Sequence, residues 1–93
     1  MYIEKVAHNS RTDAHWVHVL GVHVLFSYET PVAFATLGEQ LRRNNDWGAT
    51  TGKHMNLAGV RQYPVEEDAS KFNDRLTAAI EKAAMESFKA RLA

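Results

Sequence analysis

Cysteine is absent from the 93-residue chain, which excludes disulfides, thiolate-bound zinc and iron–sulfur clusters, and removes thiol redox chemistry with them. The absence fits a reducing compartment, and the host-cell cytoplasm is the location expected. Charge of one sign is missing too. Eleven basic residues balance eleven acidic ones, so no global field attracts nucleic acid or an anionic membrane, and any such contact has to be local. No stretch approaches the ~20 apolar residues of a membrane span, and the opening Met1-Tyr2-Ile3-Glu4-Lys5 lacks the apolar core of a signal peptide. No membrane partner is expected. Proline is scarce, and its two occurrences, Pro31 and Pro64, read as boundaries of elements.

What is present is ordinary globular material. The chain is 45% apolar with two tryptophans, three tyrosines and four phenylalanines, enough to fill one hydrophobic core without metal or crosslinks and too short for two. A single domain over residues 1–93 follows.

Residues 2–7 alternate as a short strand, and 9–13 read as a polar turn. A β-branched and aromatic run follows, in which Val17-His18-Val19-Leu20 is repeated as Val22-His23-Val24-Leu25 across Gly21. Taken as a continuous strand, Trp16, His18, Leu20, Val22, Val24, Phe26 and Tyr28 form the core face, with His15, Val17, Val19, His23, Leu25 and Ser27 opposite. Gly21 is then a bulge, a turn or a tolerated glycine within the strand. Pro31 opens a strand over 32–36, and a loop at 37–40 returns the chain through a polar edge strand over 41–47. Thr50-Thr51 and Gly59 are start and stop signals for a two-turn helix over about 51–58. After Pro64 an acidic turn (Glu66, Glu67, Asp68) opens a long helix over about 65–92 that ends on Lys89 and Arg91, as the macrodipole favours. On it Val65, Ala69, Phe72, Leu76, Ala79, Ile80, Ala83 and Ala90 share one stripe. The fold class expected is α+β: a small antiparallel sheet of three or four strands within about 1–47, a short helix, and a long amphipathic C-terminal helix packed on the sheet.

Five histidines, His8, His15, His18, His23 and His54, raise the question of a metal. A site needs its ligands to converge within about 2.0–2.2 Å of one point. On a continuous strand His18 and His23 diverge; they meet only if Leu20-Gly21 is a two-residue turn, for which leucine is a poor residue. No metal or other cofactor is therefore expected. A nucleophile site assembled from Ser27, a histidine and Asp46 lacks the glycine-flanked serine elbow, and the available carboxylates Glu29, Glu39 and Asp46 fall in turns. No catalytic residue is assigned, and the chain is expected not to be an enzyme.

Two surface features carry more. Arg42, Arg43, Lys53 and Arg61 surround a single acid, Asp46, with Trp47 and His54 interleaved; this is a local basic patch suited to phosphate or nucleic acid. The order Thr-Thr-Gly-Lys at 50–53 is not that of a nucleotide-hydrolysing phosphate loop. On the last helix Met85, Phe88 and Leu92 project roughly 140–200° from Phe72, an apolar face of the kind that marks a protein contact unless the helix kinks at 83–84 or the first strand covers it.

The segments Leu25-Phe26-Ser27-Tyr28-Glu29-Thr30-Pro31-Val32-Ala33 and Asp46-Trp47-Gly48-Ala49-Thr50-Thr51-Gly52-Lys53-His54-Met55-Asn56 resemble a family of small, largely uncharacterised bacteriophage and mobile-element proteins. That family's pattern is a Ser-Tyr-x-Thr-Pro-Val-Ala hairpin followed by a Thr-Thr-x-Lys-His-x-Asn helix start. The resemblance runs from Gly21 to Asn56 and singles out Ser27, Tyr28, Thr30, Trp47, Thr51, Lys53, His54 and Asn56. It implies an accessory binding protein that docks on a host protein or protein complex, such as an inhibitor of host defence of the anti-CRISPR kind. Met85, Phe88, Leu92, Lys53, His54 and Asn56 are the expected partner contacts, with a homodimer through the C-terminal helix as another use of that face. The alternative is a nucleic-acid accessory domain acting through Arg42, Arg43, Lys53, His54 and Arg61.

Overall fold

A computed structural model describes residues 1–6, 14–44 and 48–92, with Ala49 and Thr50 described in their backbone alone. The turn expected at 9–13, His8, Asp46 and Trp47 lie outside the described residues. The elements are β1 (Tyr2–Lys5), β2 (Ala14–Val19), β3 (Val22–Ser27), β4 (Thr30–Ala35), β5 (Gln40–Arg43), α1 (Ala49–Ala58), β6 (Val65–Glu66) and α2 (Ala69–Leu92). They make an α+β domain with one six-stranded sheet in the order β1-β2-β3-β4-β5-β6. Each pairing is antiparallel except the last, where β6 runs parallel to β5.

The sheet exceeds the three or four strands expected because the repeated tetrapeptides form two strands and Val65–Glu66 adds a sixth. Leu20 and Gly21 turn the chain between Val19 and Val22, with φ of 52° and 80°. Positive φ at both central residues is the twist that a two-residue hairpin loop requires. A Cβ on Gly21 would meet nothing within 4 Å, so conformation, not space, favours glycine there. The hairpin overturns the continuous-strand faces. Trp16 and His18 lie opposite Leu25 and His23, whereas Val17 and Val19 lie opposite Val24 and Val22.

Both faces are covered, which explains why neither is cleanly polar. Val22, Val24, Phe34 and Leu41 meet Phe72 and Leu76 of α2, joined by Phe26, Ala79 and Ala83. On the other side Leu25, Val32 and Ala33 meet Met55 of α1 and Val60, flanked by Val6, Trp16, Ala58 and Tyr63. A register shift between Leu25 and Phe26 leaves Val32 as an extra residue in β4, so consecutive Val32 and Ala33 both enter the α1-side core. Pro31 stands beside that irregularity as the second residue of the strand, one of the few strand settings proline tolerates.

Other boundaries also shift. β5 is interior, with Leu41 2% exposed, because β6 covers its outer side; the polar edge strand over 41–47 is corrected accordingly. Val65 and Glu66 belong to β6, so α2 begins at Ala69, and Asp68 caps it by accepting from the Ser70 and Lys71 amides at 2.8 and 3.1 Å. α1 begins two residues earlier than expected, after Gly48, so Thr51 lies inside the helix and does not cap it. Gly59 ends α1 at φ 74°; its amide donates to the Asn56 carbonyl, and the Val60 amide to that of Met55. The paired bonds satisfy two terminal carbonyls while Val60 and Met55 pack together.

α2 outgrows the sheet. Its 24 residues span about 36 Å, against about 20 Å for a six-residue strand. Phe72 and Leu76 are its buried residues, and the helix continues unbroken past Ala83, the last of its residues packed on the core. Arg75 pairs with Glu39, fastening the helix to the β4–β5 loop.

Candidate functional site

The two motif segments meet at the junction of β3 and α1. Ser27 ends β3, and Tyr28 and Glu29 turn the chain to Thr30, with Tyr28 at φ 57°. The Ser27 Oγ lies 3.0 Å from Thr51 Oγ1 and 2.8 Å from His54 Nδ1. Thr51 and His54 are three apart on α1 and so share its sheet-facing side. Ser27, Thr51 and His54 are 3%, 5% and 0% exposed, and the ring of the half-exposed Tyr28 stands 5.6 Å from that of His54.

The Ser27 hydroxyl has one proton and two lone pairs to share between two neighbours. Thr51 donates to Ser27 and Ser27 to His54 Nδ1, or His54 Nδ1–H donates to Ser27 and Ser27 to Thr51, or both neighbours donate to the Ser27 oxygen. The first order is that of a serine activated by a base. A nucleophile must also meet its substrate, and Ser27 is buried with its oxygen already shared. What the trio does in this setting is join the hairpin to the helix through polar groups where apolar packing would carry no directional information.

His54 is thus corrected from a surface contact to an interior one. Its neighbours Lys53 and Asn56 remain exposed. Arg42 and Arg43, adjacent on β5, point to opposite faces of the sheet. Arg42 donates from Nε to the Arg61 carbonyl at 3.3 Å and from Nη1 to the Arg43 carbonyl at 3.2 Å. A cleft of about 210 Å³ lies beside it, lined by Arg42, Asn44, Gly52, Met55, Asn56 and Arg61. Of the expected basic patch, Arg42 and Arg61 therefore share a cleft, Lys53 is outside its lining, and Arg43 is on the other face.

At the far end of the molecule Met85, Phe88 and Leu92 are 54%, 57% and 71% exposed. They stand on the side of α2 away from Phe72 and Leu76.

One constellation that the sequence reading set aside is assembled by the fold. Across the β2–β3 hairpin the Nδ1 atoms of His18 and His23 lie 2.6 Å apart, and His18 Nε2 lies 3.0 Å from Glu4 Oε1. Tyr2 stacks on His18 at 4.3 Å. The signal was the Leu20-Gly21 turn, masked by the unfavourable leucine. Among the described residues no group of three or more histidine, cysteine, aspartate or glutamate residues is placed to hold a metal ion, and no described helix is long and apolar enough to cross a membrane.

Fold and site together define a small sheet domain with a helix on each face and a buried hydroxyl–imidazole link at its centre. The chain belongs to a family of unknown function (DUF8033), which matches residues 3–74. That segment takes in β1 from Ile3, the other five strands, α1 and the start of α2; Met85, Phe88 and Leu92 lie beyond it. No curated protein and no solved structure matches the chain.

Proposed function

We propose that the chain is a non-enzymatic binding domain that docks on a host protein complex through the outward face of the last turns of α2. The observation that carries this reading is the overhang. A helix that ends its core contacts at Ala83 continues to Leu92 and presents Met85, Phe88 and Leu92 to solvent. Methionine and aromatic residues are enriched at the centres of protein interfaces. Assignment of the complex to host defence draws on the resemblance of the hairpin and helix-start motifs alone. Because the family match stops at residue 74, the docking face is proposed for this chain and not for its family.

The test compares the wild-type chain with a Phe88→Ser, Leu92→Ser variant. Neither residue contributes to the core, so unfolding free energy should stay within about 0.5 kcal/mol. Proteins captured from host lysate by the wild type should be absent from the variant's capture. Identical captures would refute the docking face. A monomer–dimer equilibrium in sedimentation that the variant abolishes would make the occupant a second copy of this chain, and would refute the host complex.

Nucleic acid is the second candidate partner, favoured by the cleft that Arg42, Asn44, Asn56 and Arg61 line. It has less support. The formal net charge is zero, the Arg42 guanidinium already serves two backbone carbonyls, and His54 is buried. Binding by this route should weaken steeply with salt, and Arg61→Ala, which changes a cationic residue of the cleft, should lower the slope by about one unit.

A further inference from the structure

We propose that His18 and His23 form a two-histidine site for a late first-row divalent cation, with Glu4 as the residue that orients it. The hairpin does the positioning. With Val19 and Val22 flanking a two-residue turn as the hydrogen-bonded pair, the alternation of an antiparallel ladder makes His18 and His23 the next, non-hydrogen-bonded pair, whose side chains approach most closely. Their Nδ1 atoms are 2.6 Å apart.

Glu4 determines what His18 offers. A carboxylate only accepts, so with Glu4 Oε1 3.0 Å from His18 Nε2 the ring carries its proton on Nε2, and Nδ1 of the neutral ring is a lone pair aimed at His23. A carboxylate on the outer nitrogen of a histidine is the usual companion of a metal-bound imidazole, fixing its tautomer and raising its basicity. Tyr2 stacked at 4.3 Å and Trp16 at 6.2 Å hold the ring in place. Two facing nitrogens need either a proton or a cation between them. Bond lengths of about 2.0–2.1 Å to each nitrogen place the two nitrogens about 2.9–3.3 Å apart, so small rotations of both rings admit the ion.

The surroundings favour positive charge. On this face the residues that flank the pair are Tyr2 and Glu4 of β1, Trp16 of β2, Leu25 of β3, Ala35 of β4 and Gln40 of β5; the one charge among them is that of Glu4. The α2 core lies on the opposite face. The His18 side chain retains 13% exposure, leaving water to complete the coordination. A pair of imidazoles with water suits copper, nickel or zinc, with copper(II) held most tightly by the ordinary order of divalent affinities.

Full-length, tag-free, chelator-treated protein titrated calorimetrically with copper(II), and separately with zinc(II), tests the site. One equivalent should bind, copper more tightly than zinc. His18→Gln and His23→Gln should each weaken binding at least about tenfold, and Glu4→Gln about tenfold without moving the melting temperature of the metal-free protein. His15→Gln, on the opposite face against Phe26, should leave affinity unchanged. No saturable binding, or binding that survives both the His18 and His23 substitutions, would overturn the assignment and leave the pair as a proton-sharing contact.

Discussion

The link between Ser27, Thr51 and His54 makes a prediction that distinguishes a buried polar lock from a chance approach of side chains. Ser27→Ala removes one oxygen yet withdraws a partner from two groups, Thr51 Oγ1 at 3.0 Å and His54 Nδ1 at 2.8 Å. Each buried group left unsatisfied costs about 1–3 kcal/mol. Thr51, in the first turn of α1, can recover part of its loss by turning toward the Gly48 carbonyl three residues back, so the net cost is about 2–3 kcal/mol. Thr51→Val deletes the other hydroxyl while Ser27 keeps His54, and costs about 1 kcal/mol. In the double variant no threonine hydroxyl remains to be orphaned, so the combined loss falls short of the sum by about 1 kcal/mol, beyond the scatter expected of independent sites. Urea unfolding of the four proteins, followed by circular dichroism, measures each corner of the cycle. Ser27→Ala should also lower the melting temperature by about 10–15 °C in a domain of this size. Additive losses, or a Ser27→Ala cost below about 0.5 kcal/mol, would refute the lock.

Two further outcomes follow from local conformation and burial. Leu20 holds φ 52° while 50% exposed, and a branched side chain pays about 1–2 kcal/mol in that region; Leu20→Asn should stabilise the hairpin by about 0.5–1 kcal/mol, and a lower melting temperature would count against the turn. Burial raises the Tyr63 hydroxyl above its ordinary value of 10.0. As pH climbs past that value the unfolded chain ionises first, so stability present at lower pH is lost until the folded group ionises as well. Phenolate difference spectra should resolve one late-titrating tyrosine that disappears in Tyr63→Phe, whose stability should lack this alkaline decline.

Much of this domain is legible in its residues. The spacing of Phe72, Leu76, Ala79 and Ala83 fixes the packed side of α2, because a stripe at helical period has one direction in which to face a core. Gly59 announces the end of α1 for an equally local reason, the left-handed conformation that glycine adopts at little cost. Ser27, Thr51 and His54 could be singled out by motif; their hydrogen bonds could not, since the serine and histidine lie 27 positions apart and meet only when α1 folds across the end of β3.

The tertiary structure decided what local preference argued against or left open. Leucine is a poor residue for the first place of a tight hairpin, yet pairing of β2 with β3 and burial of Val22, Val24 and Leu25 outweigh a cost confined to one residue. That decision inverted the faces of the sheet and brought His18 to His23. Residues 65 and 66 could have continued a helix, but β5 offered an open edge and took them as a parallel strand. Composition by itself determined a chain without disulfide crosslinks or a strong field, because those depend on residue types and counts alone, whereas the sheet divided the apolar material expected to fill one core into two clusters, one on each face. Which histidine is buried, which arginines share a cleft and where the last helix leaves the sheet depend on contacts between distant segments, and these exist only in the folded chain.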